Sequence, residues 1–208
     1  MTSLRIIGIV LTGILTENYV LMKFLGVCPA IGMSKKAGTA LGMSAAVTFV
    51  TVLATVVTYP IFALLSAYDV EFLRTLVFVL VIAGMVQIAE IVMKKYASKM
   101  YRFIGVYLPM ITTNCVVLGV TIIVTDQYSG EASGVGFGGG YLAAIFTAVG
   151  AGIGFLVAML LFAGVRERLE DSDIPKSLRG LPIILVSAAI VAMSFFGFAG
   201  LIEGLGLA

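Results

Sequence analysis

Leu108-Pro109-Met110-Ile111-Thr112-Thr113-Asn114-Cys115 is polar and proline-marked, yet it sits inside an apolar run. Phe24-Leu25-Gly26-Val27-Cys28-Pro29, near the N-terminus, has the same character. Proline deletes a backbone donor and clashes with the preceding turn. Glycine weakens a helix further. In hydrocarbon, freed backbone groups are tolerated only where protein or water satisfies them. Both runs are therefore expected to break near mid-membrane, with the breaks facing protein. The two segments also hold the only cysteines of the chain, which has no histidine.

The membrane setting follows from composition. The 208 residues are 61% hydrophobic and 12% charged, with mean hydropathy +1.15. A soluble domain carries about twice that charged share. Six apolar runs reach the roughly twenty residues needed to cross the bilayer core. They run about Leu4–Ala30, Ala37–Leu65, Phe72–Met93, Phe103–Thr125, Tyr141–Val165 and Leu181–Leu205. The first is no cleavable signal, since it lacks a small-residue cleavage site and carries Glu17, Asn18 and Lys23. A net charge of +2 gives no reason to expect nucleic-acid binding.

The first, third and fifth loops carry ten lysines and arginines, among them Lys35, Lys94, Arg102, Arg166 and Arg179, and the other side carries only Arg5 and Arg74. The odd loops are then cytoplasmic and both termini outside, in a bacterial or archaeal cell membrane. The broken spans, 1 and 4, each open one half of the chain. Interrupted helices in matching positions of two halves point to a membrane site. The halves echo each other directly: Leu73-Arg74-Thr75-Leu76 resembles Leu178-Arg179-Gly180-Leu181, and Asn18-Tyr19-Val20 more weakly resembles Asn114-Cys115-Val116. The expected fold is all-α and integral to the membrane. It is one domain, 1–208, of six transmembrane helices in an inverted 3+3 repeat (about 1–100 and 101–208), with broken half-helices in spans 1 and 4.

Cys115 lies thirteen residues past Arg102 and eleven before Asp126, roughly 15–20 Å from either flank. Cys28 can reach similar depth. Three readings of the thiols stand side by side: small buried hydrophobes, a disulfide, or soft metal ligands. An iron–sulfur centre needs four ligands, and so does structural zinc. Two thiols would then be half a site, completed by another chain. Glu17, Asn18 and Glu90 are candidates for ion handling, because ionisable groups in a membrane are costly and commonly functional. Lys94 stands four residues beyond Glu90, which gives that acid a plain helical partner instead. Gly134-Val135-Gly136-Phe137-Gly138-Gly139 matches a dinucleotide fingerprint only formally, because no strand precedes it, and reads as an outer loop. Gly38/Gly42 and Gly150/Gly154 read as close-packing pairs. Arg166 to Asp171 reads as a cytoplasmic loop.

Val20-Leu21-Met22-Lys23-Phe24-Leu25-Gly26-Val27-Cys28-Pro29 and Leu108-Pro109 through Asn114-Cys115 to Gly119 resemble the signature segments of the RnfA/NqrE family, membrane subunits of ion-translocating electron-transport complexes. Lys23, Pro29 and Thr112-Thr113-Asn114 place the likeness on the Rnf side, and Val86-Gln87 and Val165 to Leu169 extend it along nearly the whole chain. The loop Asp126–Gly140 looks longer and richer in glycine than in many members. The resemblance implies a [2Fe-2S] cluster inside the membrane. Cys28 and Cys115 would hold it together with two cysteines of an RnfE-like homologue of opposite topology. It further implies RnfB, RnfC, RnfD and RnfG as partners, beside membrane lipid. The activity implied is electron transfer between ferredoxin and NAD+, coupled to Na+ or H+ movement, with no complete active site in this chain. An inverted-repeat secondary transporter and a structural protein of the complex without a redox centre are the alternatives.

Overall fold

The computed structural model describes residues 8–16, 18–29, 37–68, 71–96, 114–128, 137–170, 172, 175 and 180–197. Among them the regular structure is helical, without a strand. The longer α-helices among the described residues are α1 (Ala37–Ala67), α2 (Arg74–Tyr96), α3 (Cys115–Tyr128), α4 (Phe137–Glu170) and α5 (Leu181–Phe196). They fall on spans 2 to 6. Within α1 and α4, Ala40–Ala67 and Gly139–Leu169 are long and apolar enough to cross a membrane, with mean hydropathy 2.1 and 2.4. Shorter apolar helices account for the rest.

Span 1 is broken, though not where proline suggested. Residues 8–11 are α-helical and widen into a π-helical turn, Thr12–Thr16. The chain then leaves helical geometry from Asn18 to Gly26 and resumes it at 27–29. Pro29 therefore sits in the first turn of the new helical segment, where a missing N–H costs nothing. In span 4, α3 begins at Cys115. The part of that span bearing Pro109, Thr112 and Thr113 lies outside the described residues, as do Glu17, Arg5, Arg179 and both chain ends.

Two expected loops turn out to be helix. Arg166 to Glu170 extends α4, since arginine, glutamate and leucine are strong helix formers and no breaker intervenes. Phe137 to Gly140 opens α4, although three glycines weaken it. Gly140 has a steric reason: a Cβ there would stand 2.6 Å from the Tyr59 hydroxyl, which donates to the Tyr128 carbonyl at 3.0 Å.

Pro60 inside α1 frees the carbonyl four residues earlier. That carbonyl, of Val56, accepts the Tyr141 hydroxyl at 3.4 Å, while the Tyr59 and Tyr141 rings pack 5.6 Å apart. The core is the α1–α4 pair. The π-helical turn packs on α4, and α3 packs on both α1 and α4. On the flanks, α2 touches α1 and α3, and α5 touches α4 and the π-helical turn. Phe78, Phe155 and Met159 are fully buried within it. Leu76, Leu80, Leu185 and Ile190 face outward, as lipid-contacting side chains do.

Candidate functional site

Each break is organised by an asparagine. Asn18 is fully buried at the end of the π-helical turn. Its Oδ1 accepts the N–H of Val20 at 3.1 Å and of Leu21 at 3.4 Å. Its Nδ2 donates to the Ile14 carbonyl at 3.2 Å and to the Gly154 carbonyl at 2.9 Å. One side chain thus closes the helix behind it, starts the turn ahead, and ties both to α4. Gly154 permits the approach, because a Cβ there would meet the Gly13 carbonyl oxygen at 2.7 Å.

Asn114 does the corresponding work at α3. It is an N-cap whose Oδ1 accepts the Val116 N–H at 3.0 Å, the second helical residue, as capping requires. Its backbone carbonyl accepts the Val117 N–H at 3.1 Å. Its Nδ2 is buried without a hydrogen-bond partner among the described residues. The weak sequence echo between Asn18-Tyr19-Val20 and Asn114-Cys115-Val116 is therefore one hydrogen-bond pattern used twice.

The two breaks meet. Gly26 donates its N–H to the Cys115 Sγ at 2.9 Å. It does so from the left-handed region, φ +78°, which glycine enters without a Cβ penalty. A Cβ on Gly26 would collide with Val116 Cγ2 and stand 3.0 Å from the Phe155 ring and 3.3 Å from Asn114 Oδ1. Two residues earlier Phe24 also has positive φ, 54°, a costly conformation for a bulky side chain. Leu25, between them, donates its N–H to the Tyr19 carbonyl at 3.0 Å and rests against Gly119 of α3. Lys23 is exposed, with its ammonium 5.2 Å from the Tyr19 ring centre.

Both thiols are free, so no disulfide forms. Cys115 is half-buried and Cys28 exposed. Cys28 lies two residues past Gly26, so its Cα is at most about 7 Å from that of Gly26. Cys28 thus follows closely on the residue that contacts the Cys115 sulfur. Among the described residues no three cysteine or acidic side chains gather as a metal set. A half-set of two thiols, one opening on the surface, fits a centre completed from outside the chain and does not fit a closed four-ligand site within it. Asn18 and Cys115 are thus both part of this junction. Glu90 lies on α2, but its side chain is outside the described residues, as is all of Glu17. Sequence reasoning missed Gly26 as a donor and Gly154 as an acceptor. The signals were present, a glycine two residues before a cysteine and the asparagine echo, but only folding brings them together.

Beside the same break lies a cavity of about 220 Å³ with a mixed lining, bordered by Ile9, Thr12, Tyr19, Gln127, Tyr128 and Thr147. The Tyr128 and Thr147 hydroxyls lie 3.1 Å apart at its edge.

These features define a polytopic helical membrane protein in which a junction of two helix breaks carries a thiol pair. The chain belongs to the Rnf-Nqr family of membrane subunits, whose model matches residues 6–202. It is 44% identical to the A subunit of the Na(+)-translocating ferredoxin:NAD(+) oxidoreductase complex of Acetobacterium woodii, over 95% of this chain and 98% of that one. It is 42% identical to the A subunit of the ion-translocating oxidoreductase complex of Pseudomonas paraeruginosa, over 98% of this chain and all of that one. For the same-named protein of Syntrophotalea carbinolica the identity is 41%, over 94% and 97%.

Proposed function

We propose that this chain is the A subunit of an Rnf-type ferredoxin:NAD+ oxidoreductase that moves Na+ or H+, and that it serves as an electron relay within the membrane. Cys28 and Cys115 would hold half of a [2Fe-2S] centre, and a homologous RnfE-like subunit of opposite topology the other half. Such a centre, when bound, takes up and releases one electron at a time. The observation that carries this reading is the Gly26–Cys115 contact, which sets both cysteine-bearing breaks side by side and leaves the Cys28 thiol facing outward. The chain's own part is to hold two thiols at a fixed spacing, exclude water from Cys115, and present Cys28 to a partner.

The pairing of helices supports the inverted 3+3 repeat of one domain. Exchanging spans 1, 2 and 3 with 4, 5 and 6 turns the π-turn–α4 contact into α3–α1, and α5–α4 into α2–α1. It likewise turns the contact of α5 with the π-helical turn into that of α2 with α3. In this reading three spans per half give the second half the opposite orientation, and the Lys/Arg placement puts both termini outside.

The test is spectroscopic. The chain co-purified with its partner subunit should show an EPR signal on reduction. Cys28→Ser and Cys115→Ser should each abolish it, with both chains still present in the membrane. A signal unchanged in both variants would overturn the reading. The second reading, a secondary transporter, draws on the cavity beside the break. It predicts ligand-dependent behaviour in Thr147→Val and full activity in both serine variants.

A further inference from the structure

We infer that Gly26 is the positioning residue that sets the reduction potential of the centre, through its N–H on the Cys115 sulfur. This rests on the relay reading above. A donor pointed at a ligand sulfur stabilises the more electron-rich, reduced state, so it raises the potential. The bond acts in a low-dielectric interior, where such an interaction is strongest.

The surrounding chain is shaped around this one donor. In a continuing helix the Gly26 N–H would point along the axis to a carbonyl of its own segment. Here Phe24 and Gly26 both take left-handed geometry and bracket Leu25, which is anchored by the Tyr19 carbonyl and by Gly119. That double twist turns the Gly26 N–H toward α3 and onto the sulfur at 2.9 Å. Val116, Phe155 and Asn114 close around the Cα so tightly that only glycine fits. Asn114 is itself fixed, its Oδ1 held by the Val116 N–H. A bulky residue held in a strained backbone region is a cost that packing alone gives no reason to keep. Aiming a donor at a ligand sulfur gives one.

The assignment predicts two measurable properties of the complex with its partner subunit. With 15N-glycine incorporated, pulsed EPR of the reduced centre should show a 15N coupling from a hydrogen-bonded glycine amide. In Gly26→Ala/Val116→Ala the shortened Val116 removes the worst collision, and an alanine leaves the left-handed region and turns its N–H off the sulfur, so that coupling should vanish. The midpoint from an EPR-monitored titration should fall below that of the Val116→Ala control. A centre that shows no glycine 15N coupling, or a double variant whose midpoint equals the control, overturns the assignment while leaving the relay intact. A wild-type complex without any reducible centre overturns the relay and the assignment together. If the double variant does not assemble, the wild-type 15N spectrum alone decides.

Discussion

At the residue scale, Asn18 and Asn114 perform the same turn with unequal commitments. Asn18 uses both amide atoms, bonding Val20, Leu21, Ile14 and Gly154. Asn114 uses its oxygen as a cap. Truncating Asn18 strands buried carbonyls and amides, each costing about 1–3 kcal/mol. Asn18→Ala is therefore expected to lose about 3 kcal/mol, whereas Asn114→Ala should lose about 1 kcal/mol, the usual worth of a cap. Unfolding of the detergent-solubilised protein measures both. Tyr141→Phe removes only the bond to the Val56 carbonyl and should cost about 0.6 kcal/mol, as hydrogen bonds between membrane helices do on average. The special character of residues 18 and 114 was legible in the sequence as a short repeated pattern. What they bond was not, because Gly154 lies 136 residues from Asn18 and nothing local points to it.

At the element scale, the two small-residue pairs look alike in sequence and differ in space. Gly150 and Gly154 take the backbone of the first span against α4. Gly38 and Gly42 meet nothing within 4 Å and lie on an exposed face of α1. Gly154→Ala should push the π-helical turn away and cost about 2 kcal/mol by overpacking. Gly42→Ala should be neutral or gain up to about 1 kcal/mol from helix propensity. Thermal denaturation of the two variants, side by side, checks the contrast. The same lesson holds for proline. Pro29 and Pro109 drew attention because they stand beside cysteines. Yet Pro29 begins a helical segment, and Pro60, inside α1, is accommodated by a tyrosine on another helix. A breaker residue marks where a helix is weak, and the neighbour that satisfies it decides whether the helix bends, ends or continues.

At the scale of the whole molecule, apolar run length anticipated the helices closely. α1, α2, α4 and α5 begin within about four residues of the expected spans. Their far ends were less legible, since charged residues such as Arg166 and Arg168 suit a helix as well as a loop. Arg74 pairs with Asp126 and lies 5.6 Å from the Phe62 ring centre. The pair joins the start of α2 to the end of α3. Reporter fusions placed at residue 35 should behave as cytoplasmic, and fusions at residue 69 as external. The reverse pattern would invert the whole topology.

The exposed Cys28 has one more consequence. On this chain alone Cys28 is exposed. If metal–thiolate bonds join the two chains, subunit pairing becomes a step that nutrition controls. Cells starved of iron should then yield this chain and its partner separately on purification, and resupplied iron should restore their recovery as a pair.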